Sequence, residues 1–139
     1  MEVLKIPFNK FLDVQQAGTN NDYIFKLEHK KEYQNHLGTI HASALFALAE
    51  SSSGEFLFNQ LRDYNLDVIP VVRKVEMKYS KPARGTVFSK ASIIDSDIKE
   101  ILSELNKTKR TIVKVRVDIY NEESEKLLTS RFDWFIIMN

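Results

Sequence analysis

With 139 residues, 43% of them hydrophobic and 28% charged, the chain has the make-up of one folded domain large enough to bury its own core. Lys and Arg number 20 against 19 Asp and Glu, a net charge of +1, and so close a balance offers nothing to nucleic acid or to an anionic membrane. No cysteine is present, which excludes disulfides, thiolate metal sites and a cysteine nucleophile.

The start, MEVLKIPFNKF, places Lys5 and Pro7 where a signal peptide would carry an unbroken apolar run. The longest apolar-rich stretches, Ala42–Ala49 and Phe132–Met138, are far shorter than a membrane span. These features predict a cytoplasmic protein with no membrane partner. The organisation expected is one domain over 1–139, its first 20 residues a helical extension.

In chain order, Pro7–Gln16 carries Phe8, Phe11, Leu12 and Val14 at the spacing of a short amphipathic helix. Gly18-Thr19-Asn20-Asn21-Asp22 breaks it. Tyr23–His29 alternates as a strand, with Tyr23, Phe25 and Leu27 on one face and Lys26 and Glu28 on the other. His41–Phe58 is rich in Ala and Leu and reads as helix. From Ala42 to Ala49 it is apolar or small on every side, so it must be buried all round. A small protein achieves that by wrapping a curved sheet around the helix.

The remaining segments supply the sheet. Val71–Tyr79 sets Arg73, Val75, Met77 and Tyr79 against Lys74, Glu76 and Lys78. Thr86–Ile94 is the next strand, after Pro82 and Gly85. Thr111–Tyr120 alternates clearly, and Leu127–Met138 puts Leu128, Phe132, Trp134, Ile136 and Met138 on one face. Between them Asp97–Leu105 has Ile98, Ile101, Leu102 and Leu105 at helical spacing, with Ser96 or Asp97 as cap. The class is α+β, an antiparallel sheet of about five strands around one long helix.

Chemistry concentrates at Asn35–His41 and at Glu50. Ser43, Phe46, Ala47, Gly54 and Leu57 share the side of the helix that bears Glu50, and none is charged. A buried carboxylate without a partner is costly or has a raised pKa, so it is retained for pairing or for chemistry. The plain alternative is a solvated Glu50 at the sheet rim, or one paired with a cation such as Arg73. Glu55 points elsewhere and reads as surface. The helix start offers unpaired amides near Ala42 and Ser43 as an oxyanion hole. Gly38 permits a close approach of the loop, Asn35 would orient a water or carbonyl, and His36 and His41 serve as acid, base or structural pin.

The run Asn35-x-x-Gly38-x-x-His41-Ala42-Ser43-x-Leu45-Phe46-x-Leu48-Ala49-Glu50 resembles the N-x-x-G-x-x-H-G-G-x-x-x-x-L-A-D/E signature of hotdog-fold thioesterases of the phenylacetate-pathway type. It is closer still to the branch with alanine in the first glycine position. Tyr79-x-Lys81-Pro82-Ala83-x-Gly85 resembles the strand–turn–strand step that follows the helix there. The resemblance implies a hotdog fold and hydrolysis of an acyl thioester on coenzyme A or acyl carrier protein. Coenzyme A would be part of the substrate, and no separate cofactor or metal is implied. Glu50 would be general base or nucleophile, and Asn35 would hold the water or thioester. Ala42 and Ser43 would supply oxyanion amides, and His41 would anchor their turn. The site would lie at a subunit interface of a homodimer or homotetramer, with Glu50 and Asn35 from different subunits. Side chains at Ala42 and Ser43, where the signature has glycines, would reshape that hole.

Two rival readings follow from the same residues. His36 and Glu50, fourteen positions apart, match the acid–base pair of a hydroxyacyl dehydratase, although the loop lacks that enzyme's prolines. The altered glycine pair also fits a module that binds acyl-CoA without turnover. Lys81 and Arg84, at a turn, would meet coenzyme A phosphates or simply be solvated. Ser51-Ser52-Ser53 lacks the setting of a nucleophile elbow and reads as a surface for close approach of a dimer mate. His29, His36 and His41 do not form a metal set. The 97–105 helix would cover an acyl channel or patch the outer sheet.

Overall fold

The computed structural model describes residues 1–18 and 22–139, so Thr19–Asn21 of the expected break lie outside the described residues. A 3-10 turn, Val3–Lys5, leads into helix α1, Pro7–Phe11, with proline in its first turn. The expected helix to Gln16 stops early. Asp13 takes a left-handed φ of 58°, and Gln15–Gln16 becomes strand β1, pairing with strand β2, Phe25–Leu27.

Helix α2, Ala42–Leu61, is followed by strands β3, Val68–Tyr79, and β4, Val87–Ile94. Helix α3, Ile98–Thr108, and strands β5, Arg110–Tyr120, and β6, Lys126–Met138, complete the chain. Asp97 caps α3 by accepting the Glu100 amide at 2.9 Å. All six strands form one antiparallel sheet in the order β1-β2-β4-β5-β6-β3. The sixth strand, beyond the five expected, is the two-residue β1. This curved antiparallel sheet around one long helix is the hotdog arrangement.

The core lies between α2 and the concave face of the sheet. Leu48 and Ala49 of α2 are fully buried against that face, where Val115, Val117, Phe132 and Ile136 are equally inaccessible. Each such large side chain contributes about 1.5–3 kcal/mol by leaving water. Phe46 meets Phe132 edge to face at 5.9 Å. The alternation expected for β5 and β6 holds along β5 and from Leu128 onward in β6, whose start buries both Leu127 and Leu128. In β2 it fails at Tyr23, which precedes the strand and stacks at 5.0 Å on Phe88, a residue between inward-facing Val87 and Ser89.

In β3 a register shift between Val72 and Lys74 resets the faces. Arg73 therefore does not share the side of Val75 and Met77. Its guanidinium lies 4.3 Å from the centre of the Phe135 ring, on the outer face. β3 is also an open edge: β6 pairs along one side, and among the described residues nothing pairs along the other. Pro70 is tolerated there because an edge strand can lack a donor.

Ser51, Ser52 and Ser53 of α2 are buried and bind the helix within its own chain. Ser52 Oγ lies 2.6 Å from both the Leu48 carbonyl and Ser89 Oγ, and Ser89 Oγ accepts the Phe25 amide at 3.1 Å. One polar group thus ties helix, β4 and β2 together. Ser89→Ala is expected to cost about 1–3 kcal/mol, because the buried Phe25 amide and Ser52 hydroxyl both lose a partner. Urea unfolding measures it, and a loss below about 0.5 kcal/mol would show that water replaces the hydroxyl. α3 packs on β5 through Ile101 and Leu105 and lines none of the cavities around Glu50.

Candidate functional site

The loop before α2 is organised by Asn35. Its Oδ1 accepts the amides of Leu37 at 2.9 Å and Thr39 at 3.1 Å, and its Nδ2 donates to Thr39 Oγ1 at 2.8 Å. This Asx-type turn is completed at Gly38, whose φ of 75° is the left-handed region that glycine favours. A Cβ on Gly38 would meet nothing within 4 Å, so the glycine serves the turn's conformation rather than a close approach. His36 is exposed, and so is Leu37 at the loop tip.

His41 is the N-cap of α2. Its backbone amide donates to the Tyr33 carbonyl at 2.7 Å, and its Nδ1 accepts the Ser43 amide at 3.0 Å. That bond requires an Nδ1 without a proton. It also changes the expected oxyanion hole, since the Ser43 amide is already engaged. No acceptor among the described residues takes the Ala42 amide, which leaves it as the free donor at the helix start, backed by the positive end of the macrodipole.

Glu50 lies two turns further along α2, half-buried. It has no hydrogen-bond or ion-pair partner among the described residues, and the cation named for it, Arg73, is on the far face of the sheet. Burial alone raises its pKa above the usual value of 4.5. Serine and tryptophan hold this stretch of helix: Trp134 Nε1 donates to Ser53 Oγ at 2.9 Å, and Ser53 Oγ donates to the Glu50 carbonyl at 2.7 Å. Glu55, expected at the surface, is half-buried.

Three cavities meet along this helix. The first, about 320 Å³, holds Asn35, Ala42, Tyr79 and Lys81. The second, about 430 Å³, holds Ala42, Ser43, Phe46, Tyr79 and Glu50 beneath Phe8. The third, about 360 Å³, lies on the other side of Glu50 and is lined on one side by the N-terminal segment. Within one chain, Glu50 and Asn35 therefore line separate cavities that share Ala42 and Tyr79. The Tyr79 hydroxyl donates to the Ala42 carbonyl at 3.3 Å, and burial raises its pKa.

Lys81 forms an ion pair with Glu125 at 2.9 Å, which holds that carboxyl below its usual range. Arg84 is exposed and has no ion pair among the described residues. Gly85 has a φ of 67°, and a Cβ there would stand 2.6 Å from Glu122 Oε1, which accepts the Thr86 amide. Among the described residues no three of His, Asp and Glu gather closely enough to hold a metal ion, and no helix is long and apolar enough to cross a membrane. In the cavity that holds Glu50 and Ser43, Tyr79 and the N-terminal Phe8 are the lining residues that sequence reasoning left out of the site. Only the motif position of Tyr79 and the apolar pattern of residues 1–11 hinted at them.

The fold is that of the hotdog proteins. By sequence, the model of the family described as "Domain of unknown function (DUF4442)" matches residues 14–136, and the chain belongs to that family. A protein of unknown function from Pseudomonas aeruginosa, described as a probable thioesterase, is similar with a TM-score of 0.79 at 20% identity, over 99% of this chain and 91% of that one. A Bacillus halodurans protein solved with CoA aligns with a TM-score of 0.65 at 18% identity, over 81% of this chain and 70% of that one. The PaaI protein of the phenylacetic acid degradation operon of E. coli aligns at 12% identity with a TM-score of 0.69, over 94% and 83% of the two chains. No curated protein matches the sequence.

Proposed function

We propose that the protein hydrolyses acyl-CoA thioesters, with Glu50 as the catalytic carboxylate. The observation that carries this reading is Glu50 itself: half-buried, without a partner among the described residues, with a pKa raised by burial, between two cavities on the central helix. A carboxylate in that state is a competent base for water or a nucleophile toward a thioester carbonyl. The free Ala42 amide at the helix start, in the same cavity, is suited to polarise that carbonyl. The thioesterase names of the structural neighbours and the CoA bound by the Bacillus protein support the substrate class.

Asn35 and Lys81 line the cavity next along the helix, so coenzyme A would approach from that side, with Arg84 as an unpaired cation near the turn. Asn35 and Glu50 would complete one site across a dimer joined at the open β3 edge. Thiol release from a panel of acyl-CoAs, wild type beside Glu50→Gln, tests the reading. Binding without release from any substrate would overturn hydrolysis.

A second reading, acyl-CoA binding without turnover, draws support from the engaged Ser43 amide, which leaves the oxyanion hole with one donor where two would be expected. The dehydratase reading gains no such support: His36 is exposed and lines none of the cavities that hold Glu50.

A further inference from the structure

Glu50 separates two spaces of different character. On one side, its cavity runs by way of Ala42 and Tyr79 toward Asn35 and Lys81. On the other lies the cavity of about 360 Å³, walled by Val3 and Ile6 of the N-terminal segment, Gly54 and Phe58 of α2, Val72 of β3 and Trp134 of β6. Two polar side chains besides Glu50 reach this wall, and both are engaged. Asn9 Nδ2 donates to the Val3 carbonyl at 3.0 Å, and Ser51 Oγ donates to the Leu48 carbonyl at 3.1 Å. A ligand group entering past Glu50 therefore meets a wall that is mostly hydrocarbon, and a polar substituent there would regain few of the hydrogen bonds it gives up to water.

We infer that this cavity receives the acyl chain, that its substrates are medium-chain, unsubstituted aliphatic thioesters, and that residues 3–9 set the chain length. The inference rests on the thioester reading for the position of the carbonyl, which must lie beside Glu50 and the Ala42 amide. From there an apolar path leads past Gly54 and under the N-terminal segment, away from the cavity that holds Asn35 and Lys81. The volume is at the small end of ligand sites, which suits a medium chain and not a palmitoyl group. Gly54 keeps this path open. A methyl group in its place would sit 3.5 Å from the Trp134 ring, an ordinary contact, whereas a branched side chain would project into the cavity.

Trp134, the one tryptophan in the chain, reports on the cavity it lines. Free CoA, butanoyl-, octanoyl- and palmitoyl-CoA are titrated into the Glu50→Gln protein, with Trp134 emission read beside calorimetric binding. Octanoyl-CoA is expected to shift the emission and to bind on the order of 200-fold more tightly than butanoyl-CoA, since each of the four extra buried methylenes tightens binding about fourfold. Free CoA is expected to leave the emission unmoved. Ile6→Asp, at a partly exposed position that tolerates charge, is expected to cut the octanoyl-to-butanoyl ratio below about fivefold, and Gly54→Val to do the same by bulk. Octanoyl-CoA that binds with Trp134 silent, or a ratio that neither substitution changes, would overturn the inference. Octanoic acid alone shifting the emission, in a protein that hydrolyses no thioester, would keep the cavity and remove the thioesterase. Hydrolysis with a silent Trp134 would do the reverse.

Discussion

Replacing Glu50 by Gln is expected to lower thiol release from acyl-CoA by a factor of about 10²–10⁴, the range for removing a positioned general base, with the fold intact. Gln keeps the shape of the side chain and a carbonyl oxygen but cannot take a proton from water or form an acyl anhydride. The carboxylate has no ion pair, so its removal leaves no stranded cation behind. Activity in the wild type is expected to fall on the acid side with an apparent pKa above 4.5, because burial disfavours the charged form that reacts. A pH–rate profile that stays flat down through pH 4.5, or a Glu50→Gln enzyme within about threefold of wild type, would remove Glu50 from the chemistry.

The same shift fixes the sign of a stability effect. A carboxyl whose pKa is higher in the folded than in the unfolded state binds its proton more tightly when folded. The penalty is absent below the unfolded value, near 4.5, grows as pH rises toward the folded pKa, and is complete above it. Glu50→Gln removes the penalty, so the variant is expected to be more stable than wild type at pH 7, with the gain fading as pH falls toward 4.5 and absent below it. Urea unfolding at both pH values measures this. A variant less stable at pH 7 would mean that the carboxylate has a partner after all.

The central helix and the strands after it were legible because their patterns are long and regular. An all-apolar helix in a small chain requires a surrounding sheet, and β5 alternates over its whole length and β6 from Leu128 onward. The breaks in regularity were not legible. Nothing in VVRKV marks the bulge that sends Arg73 to the outer face, although that one shift decides whether Glu50 is paired. The left-handed turn at Asp13 ended a helix whose apolar spacing would have carried on, because β2 offers the backbone of Gln15–Gln16 a ladder partner far along the chain. At the site, the unpaired position of Glu50 followed from the neutrality of its helix face. Engagement of the Ser43 amide did not, since a histidine N-cap is a matter of rotamer and not of spacing. The role of the serines was misplaced for a related reason. Small hydroxyl residues suit a close contact of any kind, and only the fold shows that Ser52 and Ser53 face their own sheet.

Two inactive variants, Glu50→Gln and Asn35→Asp, are expected to recover about a quarter of wild-type activity when unfolded and refolded together. In one chain these residues line separate cavities, and β3 leaves a 12-residue edge with Ile69, Val71 and Tyr79 about half exposed. Pairing that edge with its copy would hide it and extend the sheet. If the pairing completes each site from two subunits, random mixing gives mixed dimers in half of the population. Each has one of its two sites intact, which makes about one quarter. Asn35→Asp suits the test because its carboxylate still accepts the Leu37 and Thr39 amides, while the Thr39 hydroxyl can reverse and donate. The loop stays folded and only the amide donor is lost. Recovery near a quarter places the two residues in trans. No recovery, with mixed dimers demonstrated by mass, would place both functions in one subunit and return Asn35 to its visible role of shaping the loop.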